Sequence, residues 1–110
     1  MRIAIPVCDD WIAPVFDSAT RLMVVDIGPD RRSEQSELPS FVRPPKQRAD
    51  ELASLGIDLL LCDGISDTLA RFVKERGIEI KACISWAVDE VLLSLSRTSR
   101  AVTFPLARAT

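Results

Sequence analysis

Histidine and tyrosine are both absent from the 110 residues. The first absence removes every imidazole base, proton shuttle and His metal ligand from the chain's own chemistry. Only four glycines are present, and none sits in a phosphate-cradling Gly-rich loop. No nucleophile–base pair stands out either, so the chain is expected not to be an enzyme. Long apolar runs are missing as well, well short of the ~20 residues a membrane-spanning helix needs. The apolar start, Ile3 to Cys8, is broken by Asp9 and Asp10 and is too short for a signal-peptide core. Basic excess is also lacking: 14 Lys and Arg face 16 Asp and Glu, a formal charge of −2. That balance opposes a nucleic-acid partner, whose protein is usually strongly basic. The expectation is a cytoplasmic domain with neither nucleic-acid nor membrane partners.

What remains is 47% hydrophobic and 27% charged, the composition of an ordinary globule. The length suits one domain, with a core over about 1–97 and a tail over about 98–110. Three cysteines, Cys8, Cys62 and Cys83, are odd in number and widely spaced. They read as free thiols or ligands, not as a disulfide framework.

Periodicity divides the chain in two. Arg2 to Cys8 is a short apolar run, read as a buried strand, with Pro6 marking an end, an edge or a bulge. Leu22 to Ile27 is a second strand, closed by Gly28-Pro29-Asp30, and Arg32 to Leu38 returns as an exposed third. From Pro45 the period becomes helical, with Ala49, Leu52, Ala53 and Leu55 on one face and Gly56 at the stop. Asp58 to Cys62 is a strand, followed by a helix capped at Ser66 or Asp67 with Ile65, Leu69, Phe72 and Val73 inward. Ile78 to Cys83 is the last strand. A third helix follows, capped by Ser85, with Val88, Val91, Leu92 and Leu95 inward and Arg97 and Arg100 near its end. The order βββαβαβα predicts an α/β, ribonuclease-H-like mixed sheet of five strands in the order 3-2-1-4-5, with strand 2 antiparallel and helices packed on it.

This layout places Cys8, Cys62 and Cys83 each at the carboxyl end of a strand, on one edge of the sheet. Open α/β sheets bind ligands in that crevice. Trp11 and Trp86 follow Cys8 and Cys83 at equal spacing and could wall it. Thiolates there would suit soft metals or an iron–sulfur-type cluster, while the plain alternative is three buried structural thiols. Asp9, Asp10 and Asp63 could instead gather a divalent metal, although the absence of a basic groove opposes a nuclease. A receiver domain fails on topology, because a loop leads from the acidic pair straight into a strand. Arg43, Lys46 and Arg48 read as a solvated basic run, and Phe16 reads as core.

Several segments carry a resemblance in their order and spacing. They are Ile3-Ala4-Ile5-Pro6-Val7, Ala13-Pro14-Val15-Phe16-Asp17, Val24-Val25-Asp26, Gly56-Ile57-Asp58, Cys62-Asp63-Gly64-Ile65-Ser66 and Gly77-Ile78-Glu79-Ile80. Together they resemble the dinitrogenase iron–molybdenum cofactor biosynthesis family of small cluster-binding domains. The resemblance implies non-catalytic binding, carriage or assembly of an iron–sulfur or molybdenum-containing metal–sulfide cluster, held transiently between donor and acceptor proteins. Many members carry Pro-His-Phe-Gly where this chain has Pro14-Val15-Phe16-Asp17, so a His-dependent binding mode does not transfer. Cys62 and Cys83, with Cys8, Asp17, Trp11, Trp86 and Gly64 around them, become the expected contacts. The alternative is an interaction module that keeps the fold and has lost the cofactor.

Overall fold

The structure is a computed structural model that describes residues 1–29 and 33–97. Strand β1 (Arg2–Cys8) lies at its centre, flanked by β3 (Arg21–Ile27) and β5 (Leu59–Leu61). The remaining strands are β2 (Trp11–Ile12), β4 (Ser33–Pro39) and β6 (Glu79–Lys81). The helices are α1 (Pro45–Ser54), α2 (Asp67–Glu75) and α3 (Val88–Arg97). The sheet runs β4-β3-β1-β5-β6, antiparallel from β4 to β1 and parallel from β1 to β6. This is the expected mixed α/β sheet and the expected path, with one addition. The two-residue β2 pairs with β1 off that path and makes the sheet six-stranded.

Alternation along the central strands divides the core between the two faces of the sheet. Ile3, Ile5 and Val7, with Leu59 and Leu61, pack against Ile84, Trp86, Val88 and Val91. Ala4, Leu60 and Cys62, on the opposite face, pack against Phe16, Ala49, Leu52, Leu69 and Val73. Pro6 is tolerated because the β1–β5 ladder reaches only to Ala4 and Leu60, so no strand there lacks its N–H. Its carbonyl still accepts from Ala13 N–H at 2.9 Å.

The helix boundaries follow local chemistry. Ser66 Oγ accepts from Leu69 N–H at 3.2 Å, the expected cap of α2. Gly56 and Gly77 follow α1 and α2 with φ of +72° and +78°, a region that favours glycine. Two expectations need correction. Ser85 does not cap α3, because Trp86 and Ala87 pair with β2 and the helix begins only at Val88. The inner face of α1 is Arg48, Ala49 and Leu52, while Ala53 is exposed. The side chain of Leu95, the start of the third strand at Arg32, and Arg100 with the expected tail lie outside the described residues. No helix among the described residues is long and apolar enough to cross a membrane.

Candidate functional site

The carboxyl ends of β1, β5 and β6 form one edge of the sheet, and each ends in a cysteine or is followed by one within two residues. Cys8 closes β1 and opens a two-residue turn through Asp9, whose φ of 54° is one an aspartate tolerates. Trp11 stands opposite Cys8 across this turn, 56% exposed. Cys62 directly follows β5. Cys83 lies two residues beyond β6 and adopts a left-handed φ of 65°. Its N–H donates to Asp63 O at 2.9 Å, and Ile84 N–H donates to Cys62 O at 3.1 Å. The chain therefore brings the Cys62 and Cys83 backbones side by side, as neighbouring parallel strands require.

The three thiols differ in access. Cys8 and Cys83 are exposed, whereas Cys62 is buried on the face covered by α1 and α2. Burial pushes the Cys62 thiol from its ordinary 9.0 up to about 12, with Asp63, Cys83 and Asp17 adding to the rise. Below pH 9 this thiol is protonated in both folded and unfolded chains, and the shift leaves stability unchanged. Between 9 and about 12 only the unfolded chain releases the proton. Stability should then fall by about 1.4 kcal/mol per pH unit. Cys62→Ala should lose that alkaline limb in pH-dependent urea unfolding. At pH 8 iodoacetamide should label Cys8 and Cys83 and spare Cys62; rapid native labelling of Cys62 would refute the burial.

The other expected contacts have definite places. The Asp17 carboxylate accepts from Ser66 N–H at 2.8 Å and from Ser66 Oγ–H at 2.6 Å. The start of α2 therefore already holds an anion, the chain's own. Gly64 is locked against the Pro14–Phe16 loop: its N–H donates to Pro14 O, and Phe16 N–H donates to Gly64 O, both at 2.8 Å. Trp86 is buried in the core against α3, whereas Trp11 is exposed opposite Cys8. Val15, at the histidine's place, is exposed. Asp9, Asp10 and Asp63 gather no metal site: among the described residues no group of three or more His, Cys, Asp or Glu is placed to hold an ion.

Two features were not expected from the sequence. The first is Arg48, read as part of a solvated run and found only 1% exposed. Its guanidinium lies 4.6 Å from the Phe16 ring centroid and donates to the carbonyls of Asp17, Ala19 and Ser40. The only sequence signal was its place beside Ala49 and four residues before Leu52, and arginine is rarely buried whole. The second is a cleft of about 270 Å³ at the sheet edge, with Cys8 and Asp9 on one side and Pro14, Val15, Ser18 and Arg21 on the other. No contiguous sequence pattern encodes it, because it forms where the end of β1 meets the loop that leads into β3.

The fold and its edge define a small mixed α/β domain with exposed thiols where such sheets bind ligands. Residues 1–98 match the family described as dinitrogenase iron-molybdenum cofactor, and the chain belongs to that family. None of the curated proteins compared with the chain matches it. Solved structures show the same fold at low identity. The crystal structure of PH0822 is 18% identical, with a TM-score of 0.79 over 88% of this chain and 89% of that one. A candidate NifB protein from Thermotoga, solved by NMR and placed in the DUF35 family, is 17% identical with a TM-score of 0.68, covering 94% and 96%. A candidate dinitrogenase from Methanocaldococcus jannaschii is 19% identical with a TM-score of 0.69, covering 90% of each chain. The family associates the chain with iron–molybdenum cofactor biosynthesis.

Proposed function

We propose that this protein is a non-catalytic carrier of a metal–sulfide cluster, iron–sulfur or molybdenum-containing, received from a donor protein and passed to an acceptor in the cytoplasm. The observation that carries the reading is the family match over residues 1–98. The donor set is compatible with it. A cluster brings its own sulfide ligands and needs few protein donors, so two exposed thiols can serve where the described residues build no closed metal cage. Weak, open ligation also suits cargo that must leave again. The competing reading, an interaction module that has lost its cofactor, is favoured by three buried and inert cysteines; two of the three are exposed.

Anaerobic reconstitution with iron, sulfide and thiomolybdate, followed by desalting, metal analysis and visible spectra, tests the reading. The expected result is retained metal with sulfide-to-metal charge-transfer bands. Absence of bound metal with every combination of these components would overturn it.

A further inference from the structure

We propose that Cys62 and Cys83 form a redox modification site, a thiol pair that hydrogen peroxide converts to an intramolecular disulfide. Both are free thiols in this structure. The inference goes beyond the carrier reading and does not depend on it.

The backbone sets the pair. Leu61 and Lys81 are in register on β5 and β6, so Cys62 falls opposite Ala82, one residue short of Cys83. Cys62 N–H donates to Lys81 O at 3.0 Å, as a parallel ladder requires. A regular ladder would next bring the Cys83 N–H to Cys62 O. That carbonyl instead accepts from Ile84 N–H at 3.1 Å, while Cys83 N–H goes to Asp63 O at 2.9 Å. Cys83 is thus an extra residue laid against the Cys62–Asp63 peptide. One residue of rise and one strand spacing set the two α-carbons about 6 Å apart. A disulfide spans roughly 4.4–6.8 Å between α-carbons.

Regular alternation would aim Cys83 away from its neighbour. Cys62 and Ala82 pack on the face covered by α1 and α2, so Ile84 should return to that face with Cys83 opposite. Ile84 packs on the α3 face instead. The alternation therefore breaks at Cys83, where φ is 65°, uncommon for a residue with a side chain. The Cys83 thiol is also near enough that its charge adds to the rise of the Cys62 pKa. Cys8 is excluded by the same kind of register. Ala4 pairs with Leu60, which carried forward sets Cys8 opposite Gly64, two residues beyond Cys62. Those α-carbons stand roughly 8 Å apart, past the ~7 Å limit for a bridge.

Access orders the chemistry, because Cys83 is exposed and Cys62 is fully buried. The Cys83 sulfur attacks the peroxide: an S–O bond forms, the O–O bond breaks, and the thiol proton leaves on the displaced oxygen as water. The Cys62 sulfur then attacks the sulfenic sulfur of Cys83. The S–S bond forms, the S–O bond breaks, and the departing hydroxide takes the Cys62 proton as a second water. Two thiols have then given two electrons and two protons to one peroxide. Position offsets the low acidity of Cys62 in the second step. In a reducing compartment such a bridge is transient, as redox sensing requires.

The full chain, without added metal, is treated with stoichiometric hydrogen peroxide, quenched, denatured, alkylated with iodoacetamide and digested. The parent should lose two of its three alkylable thiols. A linked Cys62–Cys83 peptide pair, lighter by two hydrogens, should appear, and dithiothreitol should restore both thiols. Cys83→Ser should abolish the linked pair and leave Cys62 alkylable, while Cys62→Ala should leave Cys83 to gain oxygen. The parent readout needs neither variant. Oxygen on Cys83 with Cys62 still free, a link from either to Cys8 or to a second chain, or three thiols left intact overturns the pair. Failure here leaves the carrier reading standing, and failed metal reconstitution leaves the disulfide standing.

Discussion

Replacing Arg48 with methionine should destabilise the fold by about 4 kcal/mol, a large share of the 5–15 kcal/mol that holds a domain of this size. The substitution keeps a long apolar side chain and removes the guanidinium, with its contact to the Phe16 ring. Three carbonyls, those of Asp17, Ala19 and Ser40, then lose a donor, and so does Ser40 Oγ, which Arg48 reaches at 3.0 Å. A buried acceptor left unpaired costs about 1–3 kcal/mol, and water entering the vacated space recovers part of the sum. Ser40 Oγ–H also donates to Glu51 Oε1 at 2.8 Å, so the loss spreads along α1. Burial lowers the Arg48 pKa from its ordinary value, opposed by the nearby charges of Glu51 and Asp17, yet an arginine stays protonated at any ordinary pH. The penalty should therefore be nearly independent of pH between 5 and 9. Arg48→Lys keeps the charge but not the planar fork that reaches three separate carbonyls, and should cost roughly half as much. Thermal unfolding checks both, with a fall in Tm of roughly 20 °C expected for Arg48→Met. A fall below about 5 °C would mean the carbonyls find other donors and that Arg48 is not the anchor of this loop.

The same residue shows where sequence reasoning reaches and where it stops. The strand path was legible because β1, β3 and β5 are short runs whose faces are buried on both sides, and such runs have few alternative partners. Gly77 and the Ser66 cap were legible because one residue and its nearest turn settle them. Arg48 was not, since its partners lie 31, 29 and 8 residues away and its polar character argued for solvent. The short β2 escaped for another reason: two residues give no alternation to read. Its presence then moved the start of α3, because Trp86 and Ala87 pair with it in place of starting a helix.

At the site, the edge shared by the cysteines followed from topology, and the inward or outward aim of each thiol did not. Strand side chains alternate, so one residue of register separates a buried Cys62 from an exposed one. Asp17 and Gly64 were expected beside the cargo. The structure shows a structural duty for each, one holding the start of α2 and the other fastening the loop that walls the Cys8 cleft.

That fastening makes Gly64→Val the second substitution with a large expected effect, about 3 kcal/mol, the upper end of what overpacking costs. A Cβ built at Gly64 would stand 2.6 Å from Pro14 O and 3.4 Å from Val15 Cγ2. Pro14 O is backbone, not the free end of a flexible side chain, so it cannot move aside alone. It also accepts the Gly64 N–H, and retreat from the new methyl groups would break that bond. The Phe16 N–H donates to Gly64 O, so the displacement would pull on a ring that is fully buried. The requirement at Gly64 is thus closeness of two backbones and not an unusual φ, and even Gly64→Ala should cost about 1–2 kcal/mol. Urea unfolding should show a midpoint lowered by more than 1 M for the valine variant at an unchanged slope. Because Pro14 and Val15 wall the cleft, the alkylation rate of Cys8 should change in the folded variant while that of Cys83 stays near the parent value. An unchanged midpoint would show that the loop gives way freely, and would remove the rigid wall from the account of the site.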